Sequence, residues 1–85
     1  MECAVYVLSS LVREYIYVGI STDVARRVEE HQRGKEPTTR PYRPFEVLLV
    51  EAKSDRREAR QREKYLKSGV GKEFLKDLRA SRRKP

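Results

Sequence analysis

Cysteine and histidine each occur once in this 85-residue chain, and tryptophan and asparagine are missing altogether. A lone cysteine, Cys3, closes no internal disulfide, and no Cys/His pairing at metal-ligand spacing accompanies it, which excludes a structural zinc site. Cys3 is expected in the core of a protein kept in a reducing compartment, the cytoplasm. Long apolar runs are also missing. No segment approaches the length of a membrane span, and the first residues carry no basic stretch followed by an apolar one, so neither export nor insertion is expected. No internal repeat or low-complexity block is present.

Charge is what the chain has in excess. Twenty Lys and Arg oppose 13 Asp and Glu for a net +7, with a pI near 9.9 and a mean hydropathy of −0.83. A positive field of that size on so small a body favours phosphate polymers or anionic surfaces as partners. Part of the excess serves solubility, because Glu interleaves with Arg and Lys along much of the chain, although the end, RASRRKP, is less balanced. The apolar residues, 38% of the total, come in clusters. A chain this short buries only about 60% of its unfolded surface and cannot support two cores. One domain over 1–82 with a basic tail at 83–85 is expected.

Two stretches rich in β-branched and aromatic residues, CAVYVLSS (3–10) and EYIYVGIS (14–21), flank a short polar link and predict an antiparallel hairpin. Alternation puts Tyr15, Tyr17 and Gly19 on one face and Ile16, Val18 and Ile20 on the other, so both faces should be covered. Thr22 or Asp23 caps a helix through DVARRVEEHQR, with Val24 and Val28 toward the core and Gly34 as its C-cap. A proline-punctuated loop (35–44) leads to FEVLLVEA (45–52), a third strand whose apolar run at 47–50 predicts burial, in mid-sheet or beside the hairpin. Pro41 and Pro44 stiffen that loop on this reading, rather than forming a proline-motif ligand. Ser54 or Asp55 caps a second helix over 56–69, and a third over 72–82 carries Phe74, Leu75 and Leu78 on one side, fraying after about Ser81. The fold expected is α+β, a small, mainly antiparallel three-stranded sheet flanked by helices, in the order ββαβαα.

Several polar residues occupy positions that packing would give to apolar ones. On the first helix His31 falls within about 20° of Val24 and Arg27 about 60° from it, whereas Arg26 faces away. A histidine on such a face is more often a satisfied core residue than a catalyst, and an arginine there usually extends its head to solvent. On the second helix Glu63 lies about 40° from Ala59, on the stripe that also holds Leu66. Its carboxylate needs a cation: Arg27 if its role is structural, a divalent metal if it is chemical, and the sequence leaves both open. The hairpin brings Tyr6 near Tyr17, so Tyr6, Tyr17, Arg27, His31 and Glu63 are expected to converge. Two phenols, an imidazole, a guanidinium and a carboxylate suit phosphodiester hydrolysis, which needs a proton acceptor, a cation for the phosphate and a metal at the developing charge.

The ordered set VYV (5–7), YVG (17–19), DVARRVEEH and RRE…REKYLKS resembles the GIY-YIG nuclease superfamily over about residues 4–75. It is most similar to the small stand-alone bacterial members, whose layout includes a segment like TRPYRPFEVLLVE before the glutamate helix. The resemblance implies catalytic roles for Tyr6, Tyr17, Arg27, His31 and Glu63, a structural role for Gly19 at a tight turn, and Glu63 as ligand of one Mg²⁺ or Mn²⁺ held otherwise by waters. It implies DNA as substrate, branched or single-stranded forms included, with RNA also compatible, and a role in DNA repair or processing. Arg26, Arg40, Arg43 and Lys67 are the expected nucleic-acid contacts. In the implied scheme Tyr6, directly or through His31, takes the proton of the attacking water, which Tyr17 positions. Arg27 neutralises the scissile phosphate, and the Glu63-held metal stabilises the leaving 3′-oxygen. A phenol with an ordinary pKa near 10 must be acidified by neighbouring cations or pass its proton to neutral His31. The rival expectation is a silent nucleic-acid-binding or adaptor module on the same fold. With no second domain to read sequence, selectivity for structure or none is expected, unless a protein partner supplies specificity.

Overall fold

The computed structural model describes residues 2–83; Lys84 and Pro85 of the expected basic tail lie outside the described residues. The β-branched and aromatic stretches form β1 (Cys3–Ser10) and β2 (Ile16–Ser21), paired antiparallel with Tyr6 opposite Gly19 and Leu8 opposite Tyr17. β3 (Phe45–Lys53) pairs antiparallel with the other side of β1, giving the sheet order β2-β1-β3. The α+β class and the order ββαβαα are those read from the sequence, with one added 3₁₀ turn at Arg40–Tyr42 in the proline-punctuated loop.

The third strand corrects one expectation. β3 lies beside the hairpin's first strand, at the sheet edge, and its apolar run is not wholly buried: Val47 is 37% exposed and Val50 49%, while Leu48 is fully enclosed. Edge position leaves Val47 and Val50 partly open, and a bulge turns Leu48 into the core. Val7 pairs with Leu49 and Leu8 with Val47, which leaves Leu48 as an extra residue and shifts the strand's facing at that point. Central β1 is the strand buried continuously, from Val5 to Ser10.

Each helix begins where a side chain satisfies its free amides. Asp23 accepts from the Arg26 amide to start α1 (Val24–Arg33), and Gly34, at φ 78°, closes it in the left-handed conformation that glycine adopts without strain. Asp55 accepts from the Glu58 amide at the start of α2 (Arg56–Lys67). Ser68 then ends α2 and caps α3 (Gly69–Arg82), accepting from the Gly71 amide. α3 thus begins three residues before the expected Lys72. Two glycines weigh against a helix start in sequence, but Gly71 is there for packing: a Cβ would overlap the Tyr65 carbonyl and the Leu66 backbone, so α3 crosses the end of α2 at glycine distance.

Both faces of the sheet are covered. Cys3, Val5, Val7, Val18 and Leu48 pack against Ala59, Leu66 and Leu75 of α2 and α3, which places Cys3 in the core. The other face carries Tyr6, Leu8 and Phe45, packed against Tyr15, Tyr17, Val24, Val28 and Tyr42 from the hairpin, α1 and the loop. Alternation along β1 therefore sends its valines to the α2–α3 layer and its tyrosine to the α1 layer. Basic residues late in the chain fasten the α3 end to the sheet and its hairpin link: Arg79 bonds Glu14 of the link at 2.6 Å, Arg82 the Val47 carbonyl at 2.8 Å and Arg83 the Ser10 carbonyl at 3.1 Å. Among the described residues, no helix is long and apolar enough to cross a membrane.

Candidate active site

The α1-facing side of the hairpin holds the first four groups. Tyr6 projects from the central strand, is 1% exposed, and lies over Gly19 of the neighbouring strand. A Cβ at Gly19 would sit 2.7 Å from Tyr6 Cζ and Oη and 2.9 Å from Tyr17 Cε2. Gly19 is therefore the clearing that admits two phenol rings, inside β2. The expected tight turn is not what requires it: Gly34 is the described glycine with positive φ.

His31 comes from the last turn of α1 and is fully buried. Its Nε2 lies 3.1 Å from Tyr6 Oη and its Nδ1 2.9 Å from Thr39 Oγ1. The Tyr17 ring stands 4.7 Å from the imidazole centroid and 6.0 Å from that of Tyr6, and Phe45 meets the imidazole edge-on. Burial, then the Arg27 guanidinium, holds the imidazole below its ordinary value of 6.5, so neutral pH leaves it uncharged. Tyr6 moves the other way. Burial first, then Tyr17, pushes its phenol up to about 12, against the pull of Arg27. Of the two routes open to Tyr6, acidification by cations loses to desolvation, and the hydrogen bond to neutral His31 remains.

Arg27 donates from Nη1 to Glu30 Oε1 at 2.6 Å, one helical turn on, and Glu30 holds it still more firmly protonated. A guanidinium has five donors, so this pair fixes the head while leaving others free. Glu63 stands apart. Its carboxylate, 17% exposed, accepts from Lys67 at 2.9 Å on the same helix. The cation partner of Glu63 is thus Lys67, not Arg27, because Arg27 is taken by Glu30 and α2 packs against the opposite face of the sheet from the tyrosines. A groove of about 440 Å³ runs beside β2, lined by Tyr17 and by Leu66, Lys67, Lys72 and Lys76; of the five expected catalytic residues Tyr17 lines it, and Glu63 meets it through its partner Lys67.

A metal at Glu63 is compatible with these residues. Among the described residues no three His, Cys, Asp or Glu side chains cluster, so Glu63 offers a single hard carboxylate. That suits a small divalent ion that keeps most of its waters and suits no multidentate cage. Lys67 would have to release the carboxylate. The four expected nucleic-acid contacts divide. Arg26 is exposed, with a long 3.9 Å pairing to Glu30. Arg40 and Arg43 donate to the Gly34 and Arg33 carbonyls at 2.8 Å, closing the C-terminus of α1, so their first task is to fasten the loop. Lys67 is held by Glu63.

The GIY-YIG catalytic domain matches residues 2–76. The chain belongs to the GIY-YIG family. It is also similar to the UPF0213 protein BH0048 from Bacillus halodurans, known from a solution NMR structure, at 34% identity over 92% of this chain and 85% of that one, with a TM-score of 0.55. No curated protein matches the chain. The family is one of nucleases, and nucleic acid is its substrate class.

The strand register explains the GIY-YIG signature in this chain. Ala4-Val5-Tyr6 stands for the first triplet and Tyr17-Val18-Gly19 for the second, which corrects the grouping of residues 5–7. Tyr6 pairs with Gly19, so the tyrosine that ends one triplet rests on the glycine that ends the other, while Val5 and Val18 turn to the α2–α3 core. Sequence reasoning missed two anchors of the candidate site. Thr39, fully buried, has no periodic signal because it sits in a loop. Gln32 carries its amide to both the amide (2.8 Å) and the carbonyl (2.7 Å) of Phe45 and so pins α1 to β3. Glu30, three residues after Arg27 on the same helix, was visible as an i,i+3 pair.

Proposed function

We propose that the protein is a divalent-metal-dependent endonuclease that hydrolyses DNA phosphodiester bonds, selects for nucleic-acid structure rather than sequence, and serves DNA repair or processing in the cytoplasm. The observation that carries this reading is the buried 3.1 Å hydrogen bond between Tyr6 and His31, with the Arg27 guanidinium beside it.

With the Tyr6 phenol pushed up to about 12 and the His31 imidazole held below its ordinary value, outright proton transfer in the free protein is uphill. A relay is therefore favoured over a standing phenolate. Tyr6 Oη receives a proton from the attacking water as it gives its own to His31 Nε2, so charge reaches the imidazole only as the nucleophile forms. Tyr17, against both rings, confines the water. Arg27, held by Glu30, presents its remaining donors to the scissile phosphate. Glu63 would hold one Mg²⁺ or Mn²⁺, which when bound supplies positive charge to the leaving oxygen. The cations available near the site address phosphates, which position a strand but carry no sequence information.

The test is incubation of the purified protein with linear, supercoiled, flapped, branched and single-stranded DNA in Mg²⁺, Mn²⁺ or chelator. Cleavage that needs the metal, is abolished by Glu63→Ala and leaves salt-sensitive binding intact is the expected result. Binding without cleavage across the whole panel would leave the adaptor module as the function.

A further inference from the structure

The proton relay needs His31 in one particular tautomer, and a residue outside the expected catalytic set fixes it. Thr39 is fully buried at the start of the 3₁₀ turn, its backbone N–H donates to the Glu36 carbonyl at 3.2 Å, and its own carbonyl accepts from the Tyr42 amide at 3.0 Å. Its hydroxyl sits 2.9 Å from His31 Nδ1 and 3.4 Å from the Glu36 carbonyl oxygen. We propose that Thr39 is a positioning residue that keeps the proton of neutral His31 on Nδ1, leaving the Nε2 lone pair aimed at Tyr6; its catalytic consequence rests on the nuclease reading above.

A buried phenol carries one proton that needs an acceptor, and His31 Nε2, 3.1 Å from Tyr6 Oη, is placed to take it, with the Tyr17 hydroxyl the other neighbour able to accept. Arg27, beside the same hydroxyl, can only donate. An Nε2–H tautomer would aim an imidazole donor at Tyr6 as well and turn the phenolic proton away from His31 toward the Tyr17 hydroxyl, breaking the path from Tyr6 to the imidazole. With the proton on Nδ1 every step has an acceptor: Tyr6 O–H to Nε2, Nδ1–H to Thr39 Oγ1, and Thr39 O–H to the Glu36 carbonyl. The same arrangement serves the reaction, because the imidazolium formed when Nε2 takes the Tyr6 proton keeps its Nδ1–H bonded to Thr39. Which ring nitrogen is free is set by the bond the other one makes.

The chain holds a single histidine, so an imidazole ¹⁵N spectrum of the full-length protein contains one residue's signals. Expected is a protonated Nδ1 and an unprotonated Nε2 at neutral pH in the wild-type protein and in Thr39→Ser. The isosteric Thr39→Val removes the acceptor and should move the proton to Nε2. Cleavage should then fall at least tenfold in kcat with KM unchanged, and Thr39→Ser should restore it. A wild-type spectrum showing the Nε2–H tautomer overturns the proposal with no variant needed, as does Thr39→Val with the wild-type tautomer. Failure of the two readings is separable. A protein with the Nδ1–H tautomer that cleaves nothing supports the positioning of His31 and sinks the nuclease; one that cleaves with the Nε2–H tautomer does the reverse.

Discussion

Replacing Gly19 by alanine tests the packing that builds the site. The added methyl would lie 2.7 Å from Tyr6 Cζ and Oη and 2.9 Å from Tyr17 Cε2, about an ångström inside an ordinary carbon contact. Tyr6 has nowhere to withdraw, since it is 1% exposed and enclosed by Leu8, Phe45 and Tyr17. Overpacking of this kind costs about 1–3 kcal/mol, which in a domain of this size lowers Tm by roughly 4–8 °C per kcal/mol. The functional loss should be larger than stability implies. Any displacement that relieves the clash lengthens the 3.1 Å bond between Tyr6 and His31, and an ångström of misplacement at reacting groups costs about a hundredfold in rate. Gly69→Ala is the control: a Cβ there meets nothing within 4 Å at the start of α3, so it should leave Tm unchanged or raise it slightly. Thermal melts of the three proteins, with single-turnover cleavage below the lowest Tm, decide the matter. A Gly19→Ala protein that melts and cleaves like wild type would refute the claim that this glycine makes room for the tyrosines.

Tyr6→Phe removes the hydroxyl and keeps the ring, so it should lower kcat at least a hundredfold while moving stability by about 1–2 kcal/mol, read by cleavage assays and denaturant melts. Protonating His31 is opposed by burial and by Arg27, with Glu36 and Glu30 pulling the other way. Because the folded pKa lies below the unfolded 6.5, the unfolded chain binds the proton first as pH falls. Stability should therefore decline from about pH 6.5 downward and level off once the folded imidazole titrates, and the rate should rise through that same folded pKa toward neutrality. Urea melts and a pH–rate profile test the two limbs, and loss of the stability slope in His31→Gln would assign it. Gly71→Ala should destabilise the protein by more than Gly19→Ala does, because it meets backbone rather than rings, with no specific effect on the rate of the folded fraction.

The fold was legible where one physical signal dominated. Side-chain alternation in residues 3–10 and 16–21 and the caps at Asp23, Gly34 and Asp55 are local, and the structure reproduces them. Signals that depend on a distant partner were misread. The run at residues 47–50 cannot announce its bulge, because the bulge exists only against β1. Gly19 and Gly71 look like breaks in sequence and are close approaches in space, to Tyr6 in one case and to the end of α2 in the other. In the candidate site, His31 and Arg27 were found by helix periodicity. Thr39 was not, because its loop has no period and its importance comes from one atom of a residue eight positions earlier.

The charges of the site are paired before any substrate arrives. Arg27 is tied to Glu30 and Glu63 to Lys67, each within a single helix. On the proposed nuclease reading, substrate phosphate would compete with Glu30 for one cation, and a divalent metal with Lys67 for one carboxylate. Both internal pairs are partly exposed and worth about 0.2–1 kcal/mol, so neither is a serious barrier to exchange. They are enough to hold the side chains in place. A chain with net charge +7 would otherwise repel a metal ion from a lone carboxylate. Phosphate binding at Arg27 and along the groove cations lowers that repulsion, so metal and nucleic acid should bind with positive coupling, each strengthening the other by the same factor. On the nuclease reading proposed above, free Mg²⁺ would be held weakly at Glu63 and more firmly once nucleic acid is bound, because the strand would complete the ion's site electrostatically.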